Sequence, residues 1–214
     1  MEILQMRLLQ QRKPAGDVLP KGYKRIAGIK SVNGAYINTC QAGNNFPSFK
    51  MSAMLLDDTP LGAYADLEQN AIWGNNGNLR LCIYRYAYFQ HGGYSANLVV
   101  TSYLNKWVDI EGGYGYFNFD DVEKTFTKQN KGYTADSINL FKARTAQEGR
   151  PLIVGVYVSY EGEENPVMVR NMVACERESD GVVGLYDMCG SICPLTNSPF
   201  YTNSGTGEFV KVEE

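Results

Sequence analysis

The side chains able to do chemistry in this chain are few and scattered. His91 is the only histidine, so a Ser-His-Asp relay or a multi-histidine metal centre has almost nothing to build on. Beside Gly92-Gly93 it reads as an exposed loop residue with no evident nucleophile or acid partner. Glycoside hydrolysis needs two carboxyl groups roughly 5–9.5 Å apart, one of them with a raised pKa. Glu161-Gly162-Glu163-Glu164 runs into Asn165-Pro166 and reads as a solvated turn, while Asp120-Asp121 closes a strand. Asp57-Asp58 and Asp66 are the acids grouped in a loop, a loose set for calcium, which takes several oxygen ligands. No cofactor and no enzymatic activity are expected. The five cysteines, Cys40, Cys82, Cys175, Cys189 and Cys193, include no Cys-x-x-Cys and have no histidine nearby, which argues against zinc. They are expected to be buried free thiols, with Cys189 and Cys193 close enough to pair.

One constellation points to binding. Along Asn78–Phe89, Leu79, Leu81, Ile83 and Ala87 alternate with Arg80, Cys82, Tyr84, Tyr86 and Tyr88, so one face is aliphatic and the other tyrosine-rich. Sugars are recognised by aromatic faces against their C–H surfaces and by amides or acids on their hydroxyls. Tyr84, Tyr86, Tyr88, Tyr94 and Trp73, with Asn75 and Asn76, form a candidate glycan site. The same tyrosines would equally serve to pack against a loop or another subunit.

These residues must be placed by β-structure. The chain has 214 residues, 44% hydrophobic and 20% charged, with 22 glycines, the size of one large domain or a domain with a short appendage. From Leu19 onward, short runs rich in Val, Ile, Tyr and Phe are separated by Gly, Asn, Asp and Pro clusters, as in an all-β sandwich. Leu152, Val154, Val156, Val158 and Tyr160 form a second regular alternation. Asn75-Asn76-Gly77 and Glu111-Gly112-Gly113 read as tight turns, and Gly205 and Gly207 as turn residues with positive φ. Residues 1–13 lack Gly and Pro and are strong helix formers. Ile3, Leu4, Met6, Leu8 and Leu9 give this short helix an apolar side for attachment or oligomerisation, before Pro14 and Gly16 end it. Residues 1–18 therefore form a helix and linker, and 19–214 the β-domain. A net charge of -3 argues against nucleic acid as a partner. No run reaches the roughly 18 apolar residues of a membrane span, and Glu2, Gln5 and Arg7 interrupt what a secretion signal would keep apolar. Synthesis and retention in the cytoplasm are expected.

Three segments together resemble a known family. Leu19-Pro20-Lys21-Gly22-Tyr23-Lys24-Arg25-Ile26, followed by Ile29-Lys30-Ser31-Val32-Asn33-Gly34-Ala35-Tyr36-Ile37-Asn38-Thr39, is similar to the opening of LamG-like domains. Leu104-Asn105-Lys106-Trp107-Val108 resembles the loop and Trp before a central strand of that family. Asn171–Cys175, Gly184-Leu185-Tyr186-Asp187 and Phe200-Tyr201-Thr202-Asn203-Ser204-Gly205-Thr206-Gly207-Glu208-Phe209 resemble its close, with Ala174 where the family often has Pro. The resemblance implies a concanavalin A-like jelly roll of two antiparallel sheets. Both ends of the domain carry its most constrained sequence, so the first and last strands are expected to pair and leave few open edges. It also implies a setting, since such domains recur in bacteriophage virion proteins and in surface proteins of gut bacteria. On that basis the chain is expected to be a virion structural protein, a head or tail fibre or decoration protein. It would form a homo-oligomer, contact other virion proteins through residues 1–18, and offer its outward face to a host or mucosal glycan. A carbohydrate-binding surface module of a gut bacterium is the alternative, and a glycoside hydrolase is a third.

Overall fold

The computed structural model of the chain describes residues 18–45, 47–56, 71–83, 86–99, 101–128, 133–143, 152–162 and 167–212. The helix expected over residues 1–13, with Ile3, Leu4, Met6, Leu8 and Leu9, lies outside them, as do Tyr84, Asp57, Asp58, Asp66, Glu163 and Glu164.

The described residues build an all-β domain. Its strands are β1 (Tyr23–Arg25), β2 (Gly28–Val32), β3 (Ile37–Ala42), β4 (Ser48–Leu55), β5 (Ala71–Gly74), β6 (Leu79–Ile83), β7 (Tyr86–His91), β8 (Tyr94–Val99) and β9 (Trp107–Gly113). They continue with β10 (Tyr116–Phe119), β11 (Val122–Thr125), β12 (Ser137–Leu140), β13 (Leu152–Glu161), β14 (Val167–Arg177), β15 (Val183–Asp187), β16 (Phe200–Tyr201) and β17 (Glu208–Val212). An eleven-stranded sheet runs β11-β10-β9-β4-β13-β14-β15-β16, with β1 beside β14 and β2 between β13 and β17. The second sheet has six strands in the order β3-β12-β5-β6-β7-β8. Every pairing between these strands is antiparallel; the first strand, β1, pairs with β14, and it is the second, β2, that meets the last strand β17, from Val32↔Glu208 to Gly28↔Val212.

The core lies between the sheets and is aromatic at its centre. Trp73 of β5 and Phe89 of β7 come from the smaller sheet, while Phe49 of β4, Phe117 of β10 and Tyr157 of β13 come from the larger one. All five are fully buried. Phe89 stacks on Phe117 with 4.7 Å between ring centroids, Trp73 lies 4.6 Å from Phe49, and the Trp73 indole N–H donates to the Tyr157 hydroxyl at 3.2 Å. That bond matters because a buried hydroxyl without a partner would cost about 1–3 kcal/mol.

Several strands depart from the expected pattern, each for a physical reason. Asn78–Phe89 is not one strand but β6 and β7, a hairpin paired Leu81↔Phe89, Cys82↔Tyr88 and Ile83↔Ala87. The faces survive the fold-back because opposed residues share a side of the sheet. In β13 a register shift between Val154 and Val156 splits the apparent single face. Leu152 and Val154 point inward, then Tyr157 and Ser159 do, leaving Val156, Val158 and Tyr160 outside. Gly155 occupies the bulge, where a Cβ would meet the Trp107 ring at 3.2 Å and the Ala27 carbonyl at 3.1 Å. Gly112 and Gly113 do not turn; they lie within β9. A Cβ on Gly112 would reach Phe49 and Phe89 at 2.9 Å, and one on Gly113 would reach the Tyr116 ring at 2.6 Å. Gly205 and Gly207 have no positive φ; their missing Cβ atoms make room for the carbonyls of Gly34 and Val32.

The cysteine expectation is also corrected. Cys193 bonds to Cys40, 153 positions away, with 5.6 Å between Cα atoms. Cys82 and Cys175 are buried thiols and Cys189 is an exposed one. Cys193 accepts the Thr196 and Asn197 amides at its carbonyl and is held inward against β3. Cys189 instead sits outside, with its N–H on the Asp187 carboxylate at 3.0 Å. Cross-linking so long a loop restricts the unfolded chain by about 5 kcal/mol in the chain-entropy view.

Candidate functional site

The outer face of the smaller sheet carries Arg80, Cys82, Tyr86, Tyr88 and Gln90, because these residues oppose one another across β6 and β7. The structure gathers only part of the expected glycan site there. Trp73 opposes Leu81 and points into the core. Tyr94 opposes His91 on the inner side, where its ring stacks on Phe126 at 3.7 Å. Asn75 is buried as a turn residue, accepting the Gly77 amide at 2.9 Å and donating to Thr134 at 3.3 Å. Asn76 is exposed at the tip of that turn. Tyr88 does lie on the outer face but is only 5% exposed. Its hydroxyl takes a hydrogen bond from Arg80 and donates one to Gln90, both at 3.4 Å, and the Arg80 guanidinium sits 5.0 Å over its ring. Tyr86 packs, half-buried, against a cluster of Ala71, Cys82, Tyr88 and Ala143. This face is largely closed, so the tyrosines there serve packing more than open stacking.

His91 is not exposed either. Its ring is fully buried on the inner side of β7. Nε2 lies 2.7 Å from the Pro47 carbonyl and Nδ1 lies 2.7 Å from the Tyr133 hydroxyl. A carbonyl can only accept, so Nε2 carries the proton and Nδ1 accepts from Tyr133. Burial lowers the His91 pKa to about 4, against a smaller raising effect of the Pro47 hydrogen bond, and the ring is neutral at ordinary pH.

A second constellation lies on the outer face of the larger sheet. In one row across neighbouring strands, Tyr116 opposes Gly113, Gly113 neighbours Ser48, and Ser48 opposes Tyr160. In the next row Glu123, Asn118, Glu111, Lys50 and Val158 stand opposite one another in turn. The Tyr116 ring lies over Gly113, where only a glycine leaves it room, and its hydroxyl donates to Glu111 Oε1 at 3.4 Å. Burial pushes the Glu111 carboxyl above its usual range and Glu123 adds to that, while the Lys50 charge and the Tyr116 hydrogen bond oppose it. Burial and then Glu111 push the Tyr116 phenol up, and the Tyr160 phenol moves the same way for the same two reasons. Asn118 Oδ1 is buried and accepts no hydrogen bond. Asp109 stands two residues before Glu111 on the same face, about 7 Å along the strand, but is exposed and takes the Ser52 hydroxyl.

Sequence reasoning passed over this set. The alternation Asp109-Ile110-Glu111 and Tyr116-Phe117-Asn118 was visible, yet the residues come from β4, β9, β10 and β13, and only the register brings them together. Among the described residues no group of three His, Cys, Asp or Glu is placed to hold a metal.

The residues that carry the LamG-like resemblance hold the fold together. Tyr23 packs edge-on against Tyr186 at 4.9 Å and Phe200 at 5.1 Å. Buried Asp187 accepts the Asn171 and Cys189 amides at 3.0 Å, and Asn203 accepts the Tyr36 and Gly205 amides at 3.1 and 2.7 Å. No protein-family model, no curated protein and no solved structure matches the chain.

Proposed function

We propose that the chain is a structural protein of a bacteriophage virion, a fibre or decoration protein of head or tail, built on a LamG-like, concanavalin A-like jelly roll that faces outward. The observation that carries this reading is the Cys40–Cys193 disulfide, which ties the edge strand β3 of the smaller sheet to the loop after β15 of the larger one. Disulfides persist in oxidising surroundings and are rare in a reducing cytosol. A virion component is made inside the host and does its work outside it, after lysis. The meeting of the opening and closing segments, β2 with β17 and Tyr23 with Tyr186 and Phe200, supports the jelly-roll part of the reading. On this reading residues 1–18 attach the domain to the particle or to sister subunits, and the β-domain recognises rather than catalyses.

Mass spectrometry of purified particles, digested without reduction after free thiols are blocked, is expected to recover the Cys40–Cys193 cross-linked peptide. Deleting residues 1–18 is expected to remove the chain from those particles. A free cytosolic monomer, absent from every particle and alkylated at Cys40 and Cys193, overturns the reading. The Tyr116–Glu111–Tyr160 face favours a second reading, a carbohydrate-binding surface module of a gut bacterium. The disulfide would serve that module equally, and the particle measurement separates the two.

A further inference from the structure

We infer that, in the chain free of any particle, the apolar side of residues 1–13 lies on an exposed apolar face around Trp107, on the outer side of the larger sheet. The inference goes beyond the reading above, which uses the same residues for attachment, and gives them a place on their own domain before they attach.

Strand alternation turns Trp107 outward, because Val108 and Ile110 beside it fill the core. Trp107 opposes Met54, Met54 opposes Ile153, Ile153 opposes Lys30, and Lys30 opposes Val210. Opposed residues share a side of the sheet, so the whole row faces out. The indole lies along the sheet instead of standing up from it. Its Cη2 would be 3.0 Å from a Cβ on Gly28 and its Cζ3 3.2 Å from one on Gly155, so two glycines leave it room. Val156 follows Gly155, and Val212 opposes Gly28 with Val210 next on the same side of β17. Trp107 is 40% exposed, Val156 37% and Val210 42%. A contiguous exposed apolar face on a folded chain marks a contact surface.

The chain itself supplies the occupant. Seventeen residues precede Val18, where the described residues begin, and they carry Ile3, Leu4, Met6, Leu8 and Leu9 with no Gly or Pro before Pro14. A helix of thirteen residues is marginal alone in water, so its apolar side needs a surface. The reach is sufficient. Tyr23 pairs with Arg177, and Val173, four residues back along β14, stands opposite Val156, about 13 Å along the strand. Residues 14–17 span up to about 14 Å when extended, and thirteen residues as a helix cover about 20 Å more. A tethered segment meets its own domain at an effective concentration on the order of millimolar, ahead of another copy in dilute solution. The two contacts of the segment exclude each other, so engagement with a particle uncovers Trp107.

The chain has two tryptophans and Trp73 is fully buried, so acrylamide quenching of tryptophan fluorescence reads Trp107. The full chain is compared with one lacking residues 1–13 and with one carrying Leu4→Asp and Leu8→Asp, which leaves the β-domain untouched. Both changes are expected to raise the quenching constant about twofold or more and to shift emission to longer wavelength, as a covered ring becomes an open one. Trp107→Phe is expected to abolish the difference. In the unaltered chain, amides of residues 1–13 are expected to exchange more slowly than those of an unstructured peptide. Equal quenching in the three chains, or free exchange over residues 1–13, overturns the inference. Protection that fades on dilution, with a dimer in sedimentation, also overturns it and makes a second copy the occupant. The particle measurement is independent, since it reads where residues 1–18 go on assembly and not where they lie in the free chain.

Discussion

The two outward faces of the sandwich carry similar residues and differ in what lies over them. On the smaller sheet, Arg80, Cys82 and Tyr88 point away from the core yet are buried, with relative exposures of 6%, 0% and 5%. On the larger sheet, Tyr116, Tyr160 and Glu111 point away from the core and keep part of their surface exposed, as Tyr86 and Gln90 do at the margin of the smaller one. Strand alternation decides the side of a sheet on which a residue falls. It does not decide whether that side meets water. The difference teaches that an aromatic face is a binding platform only where the chain leaves it uncovered. It also teaches that a polar residue half-buried on an open face, like Glu111, is the better marker of a site than a row of tyrosines.

The largest effect that would sharpen this contrast belongs to Trp73, which pattern alone placed with the tyrosine platform. Trp73→Ala removes a fully buried indole from the inter-sheet core and takes one hydrogen-bond partner from the Tyr157 hydroxyl, which keeps Ser159. The expected loss is about 4 kcal/mol, chiefly from the large-to-small cavity. Urea unfolding of variant and wild type measures it. A loss below about 1 kcal/mol would mean that Trp73 is not in the core, and the platform reading would return.

Much of the β-architecture was legible. The short runs rich in Val, Ile, Tyr and Phe between turn clusters did become strands, β14 (Val167–Arg177) among them. Asn75-Asn76-Gly77 does close a hairpin, with Asn75 Oδ1 accepting the Gly77 amide. The meeting of the opening and closing segments, β2 with β17, followed from where the constrained sequence lies, although the first strand itself, β1, pairs with β14. Other features depended on contacts between strands far apart in sequence. Gly112 and Gly113 read as a turn because glycine usually marks one, whereas here the aromatic rings of Phe49, Phe89 and Tyr116 need the space. The bulge at Gly155 inverted half of β13, and no local signal distinguishes a bulge glycine from a strand glycine. The short edge strand β11, Val122–Thr125, is exposed at every residue and lacks any hydrophobic period. Cys193 found Cys40 and not Cys189 because the fold of the loop after β15 carries it against β3. His91 looked exposed beside two glycines, but strand β7 extends to it and carries it inside.

That burial gives the second test, now between the inter-sheet core, where His91 lies, and the outer face that carries Glu111. His91 has a folded-state pKa of about 4 against an ordinary value of 6.5. Between those values the unfolded chain takes up a proton that the folded chain refuses. Stability is therefore fully present above about pH 6.5 and falls as the pH drops toward 4, by about 3 kcal/mol in all. Glu111 on the open face acts in the opposite sense. Its raised pKa means the folded chain holds a proton longer, so its share of stability is present below the ordinary carboxylate range and is lost as the pH rises through the folded value. Thermal unfolding between pH 4 and 7 is expected to show a steep acid limb that His91→Gln flattens. An unchanged limb in that variant would place His91 in water and dissolve the distinction between the regions.

The smallest effect concerns Tyr116 itself. Its ring is half-buried and rests on Gly113, and its hydroxyl meets Glu111 at 3.4 Å and also Ser48. Truncation to Ala removes part of an aromatic contact on the outer face of the sheet but opens no cavity between the sheets. It also removes the hydroxyl beside a carboxylate that Lys50 still faces. The cost to stability is expected to be about 1 kcal/mol, near the value typical of substitutions outside the core, while the matching change Tyr88→Ala on the closed face costs about 3 kcal/mol or more. The comparison is read as the difference between two urea midpoints under one set of conditions. Equal losses at the two positions would show that Tyr116 is as much a part of the packed structure as Tyr88. A ring needed for folding to that degree would not be one held out for a ligand.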